Sequence, residues 1–208
     1  MRTVVFDLDG TLADTSGDLL AAANACFQGL GHGALLGPDD TATAFHGGRA
    51  MLRLGIDAQY PVLLEAYAQA IDVHTRLYPG AVAAVEALRG AGFAVSICTN
   101  KPEGLAEELT LRLGIRGLFA ALIGADTLPT RKPDAAPYIA AVEQAGGNVA
   151  RSMLVGDTDT DRQTARAAGV PVALVTFGPE GRAIARLQPD ALLDHFDDLP
   201  ELAARLLG

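Results

Sequence analysis

Short apolar runs rich in β-branched residues recur along the chain: Thr3 to Phe6, Phe93 to Cys98, Leu122 to Ile123, Met153 to Val155 and Val172 to Val175. A strand that is apolar at successive positions has no face to leave in water. A sheet built from such strands must be covered on both sides, and that is the signature of parallel sheets. The segments between the later runs have helical spacing. Val82, Val85 and Leu88 precede Gly90 and Gly92, and Leu105, Leu109 and Leu113 precede Gly114; residues 135 to 145 and 161 to 168, the latter ending at Gly169, read the same way. Glycine after each helix predicts a left-handed C-terminal cap.

Between the first run and Pro79 the pattern changes. Leu19, Leu20, Ala23, Phe27 and Leu30 form one helical stripe, Leu63, Leu64, Tyr67, Ile71 and His74 form another, and no strand is expected there. The predicted organisation is an α/β core from residues 1–14 and 80–208 with an all-helical insertion over 15–79, hinged near Thr15 and Tyr78-Pro79-Gly80. With 208 residues, 50% hydrophobic and 5% aromatic, the chain can bury a core of this kind, and its glycines and prolines are scattered rather than clustered.

A formal net charge of −9 offers no basic footprint for nucleic acid or an anionic membrane surface. No uncharged apolar stretch reaches the roughly 20 residues needed to span a bilayer, and no signal peptide precedes the first strand, so cytoplasmic residence is expected. Cys26 and Cys98 are too few for a disulfide framework or a zinc site and read as buried small hydrophobes. Monomer and homodimer are equally compatible with the sequence.

Ligands of open parallel sheets bind beyond the carboxyl ends of the strands. The first run ends at Asp7 and Asp9, the second at Thr99-Asn100 and the fourth at Gly156-Asp157 with Asp161 following, while Lys132 lies on the loop after the third. Alternation along an extended segment puts Asp7 and Asp9 on one side, and Gly10-Thr11 opens a turn whose backbone N–H groups could address an anion. Taken singly, each aspartate reads as a turn or cap residue. Together, Asp7, Asp9 and Asp157 in a partly desolvated crevice repel one another unless a cation is present, and Mg2+ suits an all-oxygen site shared with a phosphate.

Asp7-Leu8-Asp9-Gly10-Thr11-Leu12 resembles the first motif of the haloacid dehalogenase superfamily. Thr99, Lys132 in Arg131-Lys132-Pro133, and Gly156-Asp157-Thr158-Asp159-Thr160-Asp161 resemble its second, third and fourth motifs in order. The resemblance implies a Rossmann-like core carrying a helical (C1-type) cap. It also implies that Asp7 is a nucleophile forming an aspartyl phosphate and Asp9 a general acid and base. By the same resemblance, Thr99 and Asn100 bind the phosphoryl group, Lys132 neutralises its charge while pairing with Asp7, and Mg2+ is held by Asp7, the carbonyl of Asp9, Asp157 and Asp161, the last directly or through water. Asp159 is a rival at the wrong spacing. The acid at position 9 matches the phosphatase and phosphomutase branches.

Further stretches resemble bacterial phosphoglycolate phosphatases: Gly124 to Pro129, Ala165 to Pro171, Val175 to Gly178 and His195 to Pro200. That resemblance implies a small phosphorylated substrate bearing a carboxylate, for which Arg49 and then His46 in the insertion are the candidate contacts. The connection Leu54 to Pro61 looks shorter than the family's. A β-phosphoglucomutase-like transferase and pyrophosphatase- or nucleotidase-like members share the core motifs. A signalling receiver domain also gathers Asp, Thr, Lys and Mg2+, but it places an adjacent acidic pair after its first strand and accepts phosphate at a later one.

Overall fold

The computed structural model describes residues 1–29, 31, 37 and 59–208. Among these, six strands form one parallel sheet: β1 (Thr3–Phe6), β4 (Ala94–Cys98), β5 (Ala121–Ile123), β6 (Ser152–Gly156), β7 (Val172–Val175) and β8 (Ala191–Leu193), in the order β5-β4-β1-β6-β7-β8. Phe6 faces both Ile97 of β4 and Val155 of β6 in register, so β1 is the central strand.

The period-two alternation of these strands divides the core between two faces. Val4, Phe6, Val95, Ile97, Met153, Val155, Ala173 and Val175 join one cluster; Val5, Cys98, Leu154, Val172 and Leu174 join the other. Helices α3 (Ala81–Gly90), α4 (Glu103–Arg112) and α7 (Leu199–Leu207) cover the first face through Val85, Leu88, Leu109 and Leu202. Helices α5 (Ala135–Gln144) and α6 (Asp159–Ala168) cover the second through Tyr138, Ala141, Val142 and Ala165. Cys26 and Cys98 are both free and buried.

Val85 and Leu88 of α3 are buried and Val82 packs half-buried against the same cluster; Gly90 is the last residue of the helix, and Gly92 just beyond it takes the left-handed position at φ +80°. One expectation is corrected: the stretch before Pro79 is not free of strands. β2 (Ala13–Asp14) pairs antiparallel with β3 (Arg76–Leu77), Ala13 opposite Leu77, and this short ribbon brings residues 13–14 and 76–77 together.

Helices α1 (Ser16–Gly29) and α2 (Tyr60–Gln69) lie in sequence between β2 and β3. Leu19, Ala23, Phe27, Leu63, Tyr67 and Ile71 are buried in the same cluster as the first sheet face, so the apolar packing is continuous from these helices to the sheet. Asp18 locks entry to exit: its carboxylate accepts the N–H groups of His74 (2.9 Å) and Thr75 (2.8 Å) and the Thr75 hydroxyl (2.7 Å), with only 2% of the residue exposed. No helix among the described residues is long and apolar enough to cross a membrane.

Candidate active site

From β1 the chain runs to β4 and β5 on one side and returns to β6 on the other, so the strand order reverses between β1 and β6. The crevice at their carboxyl ends is the topological switch point, where ligands of such sheets bind. Asp7 follows β1 and Asp157 follows β6. The Asp7 N–H donates to the Val155 carbonyl at 2.9 Å, extending the ladder one residue and fixing the acid's backbone.

Leu8 then turns into the core, fully buried, so Asp7 and Asp9 flank an anchor. The loop closes on itself: the Leu8 carbonyl accepts the N–H groups of Leu12 (3.0 Å) and Ala13 (3.1 Å), and the Gly10 N–H donates to Ala13 O at 2.8 Å. The Thr11 N–H also reaches back to Leu8 O, at 3.4 Å, so the Gly10 and Thr11 amides are taken up within the turn and do not form the anion site the sequence suggested. Thr11 contributes through its side chain, donating its hydroxyl to Asp157 Oδ1 at 2.8 Å.

Asp7, Asp157 and Asp161 are all buried, and one carboxylate oxygen from each lies within 4.8 Å of the others. Lys132 enters this cluster from the loop after β5, its Nζ 2.6 Å from Asp161 Oδ1 and 2.9 Å from Asp7 Oδ1. The contact to Asp7 is an ion pair lying outside hydrogen-bond geometry. Burial works against the Lys132 charge, but Asp161 and then Asp7 more than offset it and hold the ammonium firmly protonated.

One cation does not balance three acids. Burial first, then the charges of Asp161 and Asp9, push the Asp7 carboxyl up to about 7 although Lys132 pulls the other way. Burial and the Asp7 charge raise Asp157 as well. Among the described residues Asp157 Oδ2 is a buried oxygen with no hydrogen-bond donor, and Asp7 Oδ1 has only its ion pair with Lys132. An all-oxygen cluster with excess negative charge and an orphaned acceptor has the chemistry of a hard divalent cation site.

The Asp161 oxygens, by contrast, are both engaged by the protein. Oδ1 takes Lys132, while Oδ2 accepts the Thr158 hydroxyl (2.7 Å) and the N–H groups of Thr158 (3.1 Å) and Asp157 (3.3 Å), completing the capping box of α6. Gly156 makes room for it: a Cβ at that position would fall 2.6 Å from Asp161 Oδ2. Asp159 is exposed and bonds Gln163, away from the cluster.

Thr99 is buried beyond β4, and its hydroxyl oxygen accepts the Lys101 N–H at 3.1 Å, which leaves the hydroxyl proton free to donate elsewhere. Asn100 is exposed and its side-chain amide donates to the Lys132 carbonyl at 3.0 Å, tying the two loops together. Asp9 Oδ1 accepts the Thr15 hydroxyl at 2.7 Å and Lys101 Nζ at 2.9 Å. Sequence reading missed Lys101 and the side-chain role of Thr11. Lys101 directly follows Thr99-Asn100 at a strand end, the same signal that singled out its neighbours. His46 and Arg49 lie outside the described residues.

A family model described as haloacid dehalogenase-like hydrolase matches residues 1–169, a span holding every strand-end residue above. A phosphoglycolate phosphatase of Mesorhizobium japonicum is 39% identical over 220 residues, covering 98% of this chain and 96% of the relative. One of Agrobacterium fabrum is 37% identical, covering 98% and 93%. In fold, the chain is similar to a haloacid dehalogenase-like family protein of Streptococcus pneumoniae, with a TM-score of 0.81 over 97% of this chain and 98% of that one at 21% identity. With the motif residues gathered at one switch point and relatives aligned along nearly the whole chain, this protein belongs to the haloacid dehalogenase-like hydrolase family.

Proposed function

We propose that the chain is a Mg2+-dependent phosphomonoester hydrolase working through an aspartyl phosphate, with 2-phosphoglycolate as its substrate. The observation that carries the chemistry is Asp7 held 2.9 Å from Lys132, beside the orphaned Asp157 oxygen, with a second carboxylate two residues away on the same loop. The names of the similar relatives support the substrate.

Asp7 attacks phosphorus while the bond to the leaving oxygen breaks. Asp9 gives that oxygen a proton, so an alcohol departs instead of an alkoxide. The Thr99 hydroxyl donates to a phosphoryl oxygen and Lys132 offsets the charge gathering on the group, since this reaction depends on positioning and electrostatic stabilisation. Asp9 then takes a proton from the water that attacks the aspartyl phosphate, which frees Asp7 and releases inorganic phosphate. Asp7, the Asp9 carbonyl and Asp157 would hold Mg2+, which when bound neutralises the acids and the phosphoryl oxygens and lets Asp7 stay ionised. Asp161 acts by holding Lys132 and the α6 N-terminus in place.

The insertion acts as a cap over the strand ends, and Arg49, with His46 next, meets the substrate carboxylate. The test is phosphate release with and without Mg2+ across phosphoglycolate, sugar phosphates, nucleotides and pyrophosphate. Highest kcat/KM on phosphoglycolate is expected. Activity confined to another class would overturn the substrate, and no metal-dependent release on any would overturn the chemistry.

A further inference from the structure

Lys101 is a second buried cation at the strand ends, apart from the acid cluster that holds Lys132. Its side chain is 4% exposed, yet it comes from a surface-reaching loop between β4 and α4. Its Nζ lies 2.9 Å from Asp9 Oδ1 and 4.3 Å from the centre of the Tyr67 ring. Three segments meet at this one ammonium: the loop after β1, the loop after β4, and α2 of the insertion.

A buried ammonium is costly unless it is paired, and a cation over an aromatic face in a desolvated place gains further from the ring. Burial works against the Lys101 charge; Asp9 and then Tyr67 offset it and keep the group protonated. Tyr67 is itself 1% exposed, and burial pushes its phenol up to about 12, so it faces Lys101 as a neutral ring. Its hydroxyl has no hydrogen-bond partner among the described residues, so the ring face is what it offers.

At the other end of the contact, Asp9 is held on one side only. Lys101 and the Thr15 hydroxyl both converge on Oδ1, and among the described residues no hydrogen bond reaches Oδ2. Two donors on one oxygen stop the carboxylate from rotating about its terminal torsion, which is otherwise broad and soft. The oxygen left over is thereby presented in a single direction.

We propose that Lys101 is a positioning residue for Asp9: it pins Oδ1 so that Oδ2 meets the leaving oxygen, and the Tyr67 ring, carried by the insertion, keeps that pin seated. This rests on the reading of Asp9 as the proton donor. Lys101 touches neither the phosphoryl group nor the leaving group, and what it supplies is the orientation of a carboxylate that would otherwise swing.

Orientation of a general acid matters in proportion to how badly the leaving group needs a proton. An alkyl phosphate must release a basic alkoxide, whereas 4-nitrophenyl phosphate releases a phenolate that is stable unprotonated. The experiment is therefore a single-turnover measurement of alcohol or phenolate release, which isolates the first step, with phosphoglycolate and 4-nitrophenyl phosphate at saturating Mg2+. Lys101→Met is expected to slow alcohol release by about 10- to 100-fold, the loss that follows from a misplaced catalytic group, and phenolate release by no more than about 3-fold. Lys101→Arg, which restores the charge, brings the ratio of the two rates back toward that of the unaltered protein. Tyr67→Phe leaves the ratio unchanged because the ring remains, and Tyr67→Leu moves it in the same direction as Lys101→Met.

Lys101→Gln is measured alongside, so that the ratio can be read if the methionine variant melts too low. Equal losses on both substrates in a folded variant would assign Lys101 a merely structural role and overturn the proposal. A raised KM for phosphoglycolate with the single-turnover rate intact would make it a substrate contact and overturn it equally. Asp9→Asn separates this from the underlying reading: if it too fails to discriminate between the substrates, Asp9 is not the proton donor; if it discriminates and the Lys101 variants do not, only the positioning role falls.

Discussion

Gly156→Ala adds one methyl group at the end of β6 and should damage both stability and turnover. Gly156 does not have a positive φ, so the strain is purely one of space. The new Cβ would sit 2.5 Å from Asp161 Cβ and 2.6 Å from its Oδ2, closer than such atoms approach in real structures. Asp161 cannot step aside freely, because it is fully buried and held by Lys132, Thr158 and the Asp157 N–H.

Forcing a methyl group into a packed site of this kind costs about 1–3 kcal/mol. For a chain of this size each kcal/mol lowers Tm by about 2–4 °C, so the fall should be about 2–12 °C. The displacement passes along Asp161 to Lys132 and so to Asp7, where a shift of about 1 Å lowers kcat by on the order of 100-fold. Gly90→Ala is the matched control: it lies at the end of α3 with nothing among the described residues within 4 Å of a new Cβ and no positive φ. There, relief of backbone entropy should stabilise by about 0.5–1 kcal/mol. Calorimetric melts and phosphate-release kinetics on both variants are the assay. A Gly156→Ala protein with unchanged Tm and kcat would refute the claim that this glycine exists to seat Asp161.

Asp7→Asn removes the carboxylate proposed as the nucleophile and should abolish turnover while leaving a folded protein; substantial phosphatase activity in the pure variant would exclude the nucleophile role. In the metal-free protein Asp7 titrates near 7 rather than at the ordinary 3.8, so the folded state binds more protons than the unfolded one between those values. Stability should therefore fall as pH rises through that window. Mg2+ should stabilise more at its upper end, and melts whose Mg2+ increment is flat with pH would contradict the shared cation site. Thr11→Val deletes the hydroxyl that holds Asp157 Oδ1 and should weaken Mg2+ binding by about 10- to 100-fold in calorimetric titration, with an unchanged affinity counting against that support. Arg49→Ala should raise KM for phosphoglycolate more than for a phosphate ester without a carboxylate; equal changes would remove Arg49 from carboxylate recognition.

Much of the fold was legible because β1 and β7 are β-branched-rich, buried at every position and stand between turn signals; Thr3–Phe6 and Val172–Val175 appear as read. The candidate residues Asp7, Thr99 and Asp157 were legible for the same reason, each directly following one of the strand segments. What escaped was short or relational. The ribbon of β2 and β3 is two residues deep on each side, too brief to show alternation, and is defined only by its pairing between distant parts of the chain, Ala13 opposite Leu77 and Asp14 opposite Arg76. β8, at Ala191–Leu193, is a short edge strand defined by its pairing with β7.

The local order of residues determined which segments become buried strands, where each ends, and that Asp7 and Asp9 would flank a core leucine. These follow from hydrophobic period and backbone alternation, which act over a few neighbours. The resemblance already implied that Lys132 pairs with Asp7; only the tertiary structure decided that Lys132 would also hold Asp161, that Thr11 would hold Asp157, and that Lys101 would reach both Asp9 and Tyr67. Those pairings join residues 29 to 146 positions apart or on separate segments. A buried charge selects its partner by distance in space, which the packing of the sheet sets and the linear sequence does not display.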